Sequence, residues 1–176
     1  MKSSNALRVT AALLVAFAAF FGVDKIGPAI AQSSLTAYYR AMFHVNSRDV
    51  SGQSNGLMQI TGGGSYDWDS AFLRGSGSYS CLEAVGDGPL SGCAPGQGTR
   101  WQTDDLFFST QYRCYGGPDR VAVTGASTVV FLANFYRAGD GRVASLRAKM
   151  IVSMEDLDPD VPGFQQVWIE GVGCGT

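Results

Sequence analysis

From Leu35 onward the chain alternates apolar and polar side chains with a period of two, broken by glycine-rich turns. That pattern predicts half-buried antiparallel strands rather than amphipathic helices. In the last third, Ala144, Leu146, Ala148, Met150 and Val152 fall on one face, and Ser145, Arg147 and Lys149 on the other. The run from Thr128 to Arg137 is apolar on both faces, so a local helix competes with a fully buried strand there. Ala138-Gly139-Asp140-Gly141 then reads as the turn of a hairpin.

The predicted strands are 35–46, 56–66, 71–83, 106–115, 121–137, 142–153 and 164–173, about seven in all. On the first, Ala37, Tyr39, Ala41, Phe43 and Val45 share one face, opposite Tyr38, Arg40, Met42 and His44. The second and third form a hairpin with Asp67-Trp68-Asp69-Ser70 at its tip. Their arms carry matching glycine stretches, Gly62-Gly63-Gly64-Ser65-Tyr66 and Gly75-Ser76-Gly77-Ser78-Tyr79. Glycines inside strands mark bulges, barrel corners or the close approach of another group. Residues 84–105, rich in glycine and proline, read as one long loop tied down by Cys93. Strands without a crossover helix must close on themselves or pack as two sheets to protect their edges. The expected fold is therefore all-β, a single antiparallel barrel or sandwich, with a barrel favoured by the hairpin connections.

Upstream, Lys2 and Arg8 precede an apolar run from Val9 to Val23, and Ala29-Ile30-Ala31 supplies small residues at a cleavage position. This predicts a signal peptide over 1–31 and a β domain over 32–176, exported to a periplasm or the extracellular space. The run is shorter than a membrane crossing requires, so no membrane span is expected in the mature chain. Four cysteines, Cys81, Cys93, Cys114 and Cys174, behind such a leader predict two disulfides. Strand parity permits Cys81–Cys114 with Cys93–Cys174, and the local pairing Cys81–Cys93 with Cys114–Cys174 fits equally well. No C-x-x-C pair is present and the single histidine is distant in sequence, so neither a metal nor a cofactor is expected.

The formal charge of the whole chain is −2, and loss of Lys2, Arg8, Lys25 and Asp24 makes the remainder more acidic. There is thus no electrostatic footprint for nucleic acid or an anionic membrane surface. Gly52-Gln53-Ser54-Asn55-Gly56 matches G-x-S-x-G, but it lies between strands and reads as a turn rather than a nucleophile elbow. Glu155, Asp156, Asp158 and Asp160 resemble the start of a calcium loop, yet Val161 and Val167 stand where that loop needs glycine and glutamate.

The remaining lead is a barrel lumen taking a small, partly apolar ligand. If the first and last strands are neighbours, Tyr38, Arg40 and His44 come beside Trp168 and Glu170, and these five are the candidate ligand-binding residues. Two other functions fit the same sequence. One is a cofactor-free isomerase or cyclase in which Glu170 or His44 moves a proton. The other is a surface or interaction protein with a filled core. The state of the lumen discriminates among the three.

Overall fold

The computed structural model describes residues 40–51 and 56–176. The predicted signal peptide, Tyr38 and most of the G-x-S-x-G segment lie outside that range. Ten strands are formed: β1 Ala41–Ser51, β2 Leu57–Asp67, β3 Phe72–Cys81, β4 Arg100–Phe107, β5 Ser109–Tyr112, β6 Arg120–Val123, β7 Thr128–Tyr136, β8 Leu146–Ser153, β9 Val167–Ile169 and β10 Gly173–Gly175. Among the described residues there is no helix. Eight strands close an antiparallel barrel in the order β1-β10-β9-β8-β7-β4-β3-β2, and β5 and β6 form a separate two-stranded ribbon. The all-β barrel expected from the alternation is what the chain forms.

Several predicted boundaries change: the first strand runs on to Ser51, and the strand predicted over 164–173 divides into β9 and β10. The supposed loop 84–105 ends early, because β4 begins at Arg100 and joins β3 to β7 through Trp101, which pairs with Gly77 on one side and Phe135 on the other. The strand predicted over 106–115 breaks at Phe108, which turns its ring out to solvent. The run 121–137 divides into β6 and β7, with Thr124 capping the turn: its hydroxyl donates to the Phe107 carbonyl at 2.6 Å and accepts the Val130 amide at 3.0 Å.

An eight-stranded barrel is just wide enough for its own side chains to fill, and here they do. Phe43, Ile60, Tyr66, Trp101, Phe131, Phe135 and Met150 belong to one continuous buried cluster inside the wall. Trp101 is the centrepiece. It is wholly buried, stacks on Phe131 with ring centroids 6.0 Å apart, and donates its indole N–H to the Thr61 carbonyl at 2.9 Å. The strand glycines make the room. A Cβ on Gly62 would lie 2.7 Å from the Trp101 ring and one on Gly77 2.6 Å from its nitrogen, while Gly64 and Gly75 leave space for the ring of Phe43.

The top of the barrel is capped by the 82–99 loop, which buries Val85, Leu90 and Cys93 against the lumen and is tied to β3 by the Cys81–Cys93 disulfide. A second core lies outside the wall. Val130, Ile151, Trp168 and Cys174 project outward from β7, β8, β9 and β10, and the ribbon covers them with Tyr112 and Ala122. This is why β7 reads as apolar on both faces: each face meets a different core, and the helical alternative falls. The second disulfide, Cys114–Cys174, fastens the loop between β5 and β6 to β10. The local pairing of the cysteines is therefore the one adopted. Two disulfides belong to an oxidising compartment.

Two buried tyrosines tie the end and flank of the barrel. Tyr66 donates to the Gly125 carbonyl at 2.9 Å and Tyr112 to the Leu157 carbonyl at 2.8 Å. Burial raises the phenol pKa of Tyr66, Tyr79 and Tyr112 above the ordinary value. A folded-state pKa above the unfolded one gives stability that is complete below about pH 10 and is lost as pH rises towards the folded values. An alkaline titration followed by phenolate absorbance and circular dichroism should show these three ionising only together with unfolding. Ionisation of all tyrosines at the ordinary pKa in a still-folded protein would contradict the burial.

Candidate functional site

The barrel wall has a seam. Along Ala41–Ser47, β1 is laddered to β2, but on its other edge its strand partner among the described residues is confined to Ser51, opposite Cys174. β9 and β10 are three residues each, so they reach β1 only near its C-terminal end. Below that point the wall between β1 and the end of β8 opens into a groove of about 530 Å³. Its floor and lips are Met42, Phe43, His44 and Tyr66 on one side, and Ser127, Val152, Ser153, Met154 and Gln166 on the other.

The local sequence explains each lip. Period-two alternation turns Phe43 and Val45 into the lumen and leaves Met42 and His44 outside. His44 pairs across the ladder with Gly63, and its Nδ1 lies 3.6 Å from where a Cβ of that glycine would be. The glycine thus leaves the imidazole uncovered. On the far lip β8 ends at Ser153, whose hydroxyl is 2.8 Å from that of Thr128 and accepts the Glu155 amide at 3.0 Å, turning Met154 outward. Met42 is 66% exposed and Met154 70%, so two flexible apolar side chains face solvent across the groove. None of the nine lining residues carries a permanent charge.

The five residues predicted as a ligand site are placed as follows. Tyr38 lies outside the described residues. Arg40 pairs with Asp69 and lies 5.0 Å over the Trp68 ring, so it braces the tip of the β2–β3 hairpin. There the Asp69 amide, donating to Asp67 at 3.0 Å, is the main cause holding the Asp67 carboxyl below its usual pKa. His44 is on the groove. Trp168 is in the outer core, against Tyr112 at 6.0 Å, donating its indole N–H to the Arg113 carbonyl at 3.2 Å. Glu170 accepts the Lys149 amide at 3.2 Å and faces the Lys149 ammonium at 3.9 Å.

The structure does not bring the four described residues together. β1 and β10 are neighbours, as closure requires, but they meet at Ser51. At the rise of an extended strand, Arg40 is roughly 35 Å along β1 from that meeting point and His44 roughly 23 Å. Glu170 follows β9 at the far end. The acidic run is also accounted for internally: Asp156 accepts the amides of Asp158 and Gln165, each at 3.0 Å, and Arg120 pairs with Asp158 and Asp160. The groove itself escaped the sequence reading. Its only sequence signal is the shortness of the last two strands, which glycine and loop residues obscure.

Fold and seam define a class: a closed, antiparallel, eight-stranded barrel with a filled lumen, an external second core and an open stretch of wall beside β1. No protein-family model, curated protein or solved structure matches the chain.

Proposed function

We propose that this is a binding protein of an exported, oxidising compartment, and that it recognises a partly apolar ligand on the barrel wall at the β1–β8 seam. The filled lumen removes the site expected inside the barrel and favours an interaction surface on its outside, and the observation that carries this reading is the groove at the seam. With Trp101, Phe131 and Phe135 wholly buried at the barrel axis, the interior acts as core, and the groove beside β1 becomes the place for a ligand. Its volume of about 530 Å³ falls in the range of small-molecule sites, and its lining has their usual make-up, apolar walls with a few polar groups. Met42, Phe43, Val152 and Met154 supply the apolar contact. His44, Ser127 and Gln166 supply hydrogen bonds that fix orientation.

Nile red, an uncharged apolar dye, provides the test. It should bind with one-to-one stoichiometry. Met154→Lys should weaken binding about tenfold or more, since covering a methionine is worth about 1.5–3 kcal/mol. Val143→Lys, at an equally exposed position on the β7–β8 turn, should leave it unchanged. Dye binding indifferent to both Met42→Lys and Met154→Lys would remove the seam as the site.

A further inference from the structure

The groove has a property that an apolar cleft alone does not: one wall is the edge of an extended strand to which no described strand is laddered. Every residue of a strand directs its N–H and C=O towards one edge or the other. Across the six residues Ala41–Asn46, about three donors and about three acceptors therefore face the seam. Among the described residues no strand pairs with them, while the opposite edge of the same residues is fully laddered to β2.

Natural sheets guard such edges with lysine, proline or a bulge. The stretch Ala-Met-Phe-His-Val-Asn has neither residue. The irregularity in β1 falls later, between Ser47 and Val50, next to the only place where the strand meets β10. The unguarded part of the edge is therefore the part that opens on the groove.

We infer that the ligand of the seam is an extended segment of another polypeptide, about six residues long, which adds to β1 as an extra strand; this rests on the seam being the binding site. Main-chain hydrogen bonding along an exposed edge supplies affinity in this mode of recognition, and pockets for alternate side chains supply specificity. The side-chain pocket is lined by Met42, Phe43 and Met154. Methionines adapt to varied apolar shapes, so this pocket fits one apolar side chain of the incoming strand. The lining carries no permanent charge, which matches an uncharged segment and gives nothing to hold a phosphate or an acidic or basic tail.

The test pans randomised twelve-residue peptides displayed on phage against the full chain, then follows synthetic copies of the enriched sequences by residue-resolved hydrogen exchange. Enriched peptides are expected to slow the seam-directed amides of Ala41–Asn46 by at least about tenfold. N-methylation of alternate peptide residues should abolish binding when it falls on the pairing edge and leave it nearly intact on the other. Absence of enrichment would overturn the inference, as would peptides that bind without protecting β1 or that ignore the edge methylated. Protection of those amides in the peptide-free protein, by self-association or by the chain's own residues, would overturn it too. Nile red separates the two proposals. Dye binding that is lost in Met154→Lys while no peptide protects β1 removes the strand and keeps the seam; failure of both removes both.

Discussion

Replacing Trp101 by alanine is expected to destabilise the protein by about 3–5 kcal/mol, the range for emptying a fully buried aromatic site. Domains of this kind are stable by about 5–15 kcal/mol in total, so the variant should unfold at a markedly lower denaturant concentration. Collapse is hindered on every side. The floor of the site is the glycine-paved β2–β3 hairpin, whose Gly62 and Gly77 have no side chain to move inward, and the opposite wall is Phe131. The Thr61 carbonyl also loses its indole donor. Equilibrium urea unfolding checks this directly. A loss under about 1 kcal/mol, typical of a surface change, would mean that the lumen is not the core.

Replacing both Cys114 and Cys174 by alanine should have the second large effect. Cross-linking across 60 residues of sequence lowers the entropy of the unfolded chain by an amount worth about 4 kcal/mol, against about 3 for the Cys81–Cys93 loop of 12. The geometry adds to the difference. Cys174 is the residue opposite Ser51 in the one pair that closes the barrel, and Tyr115 straps the same point, donating its hydroxyl to the Cys174 carbonyl at 2.8 Å. The double variant should melt roughly 10–15 °C lower and exchange faster at Val50 and Ser51. Loss of Cys81–Cys93 should instead loosen the cap. Equal effects from the two bridges, confined to the cap in both cases, would contradict the latch.

Much of this fold was legible because alternation survives wherever one face of a strand meets the core. Ala148, Met150 and Val152 on β8 fall inside as their parity predicts, and Phe43 and Val45 do the same on β1. Strand glycines signalled close approach correctly, though not that a tryptophan and a phenylalanine make the approach. β4 was hidden because its residues Arg-Trp-Gln-Thr-Asp-Asp read as loop; only Trp101 and its neighbours in space make it a strand. The outer core was half visible in the doubly apolar β7, but nothing in the sequence indicates that 109–123 folds over that wall. Arg40, His44, Trp168 and Glu170, the described residues of the predicted ligand set, lie apart for a geometric reason. Parity gives the face of a residue, whereas its height along the barrel depends on register, and the register of β1 against β10 is fixed by a single pair near their ends. Of those four, His44 reaches the groove, because parity turned it outward and its position on β1 set it beside the seam.

The wall is closed by its core and by one latched pair, and among the described residues it is open along the first half of β1. Residue-resolved hydrogen exchange of the free protein tests it most directly. Amides of Ala41–Asn46 directed at β2 should be protected to nearly the global stability, in step with those of β7, while the seam-directed amides between them exchange with little protection. Uniform slow exchange along both edges of β1 would show the seam closed and contradict the account.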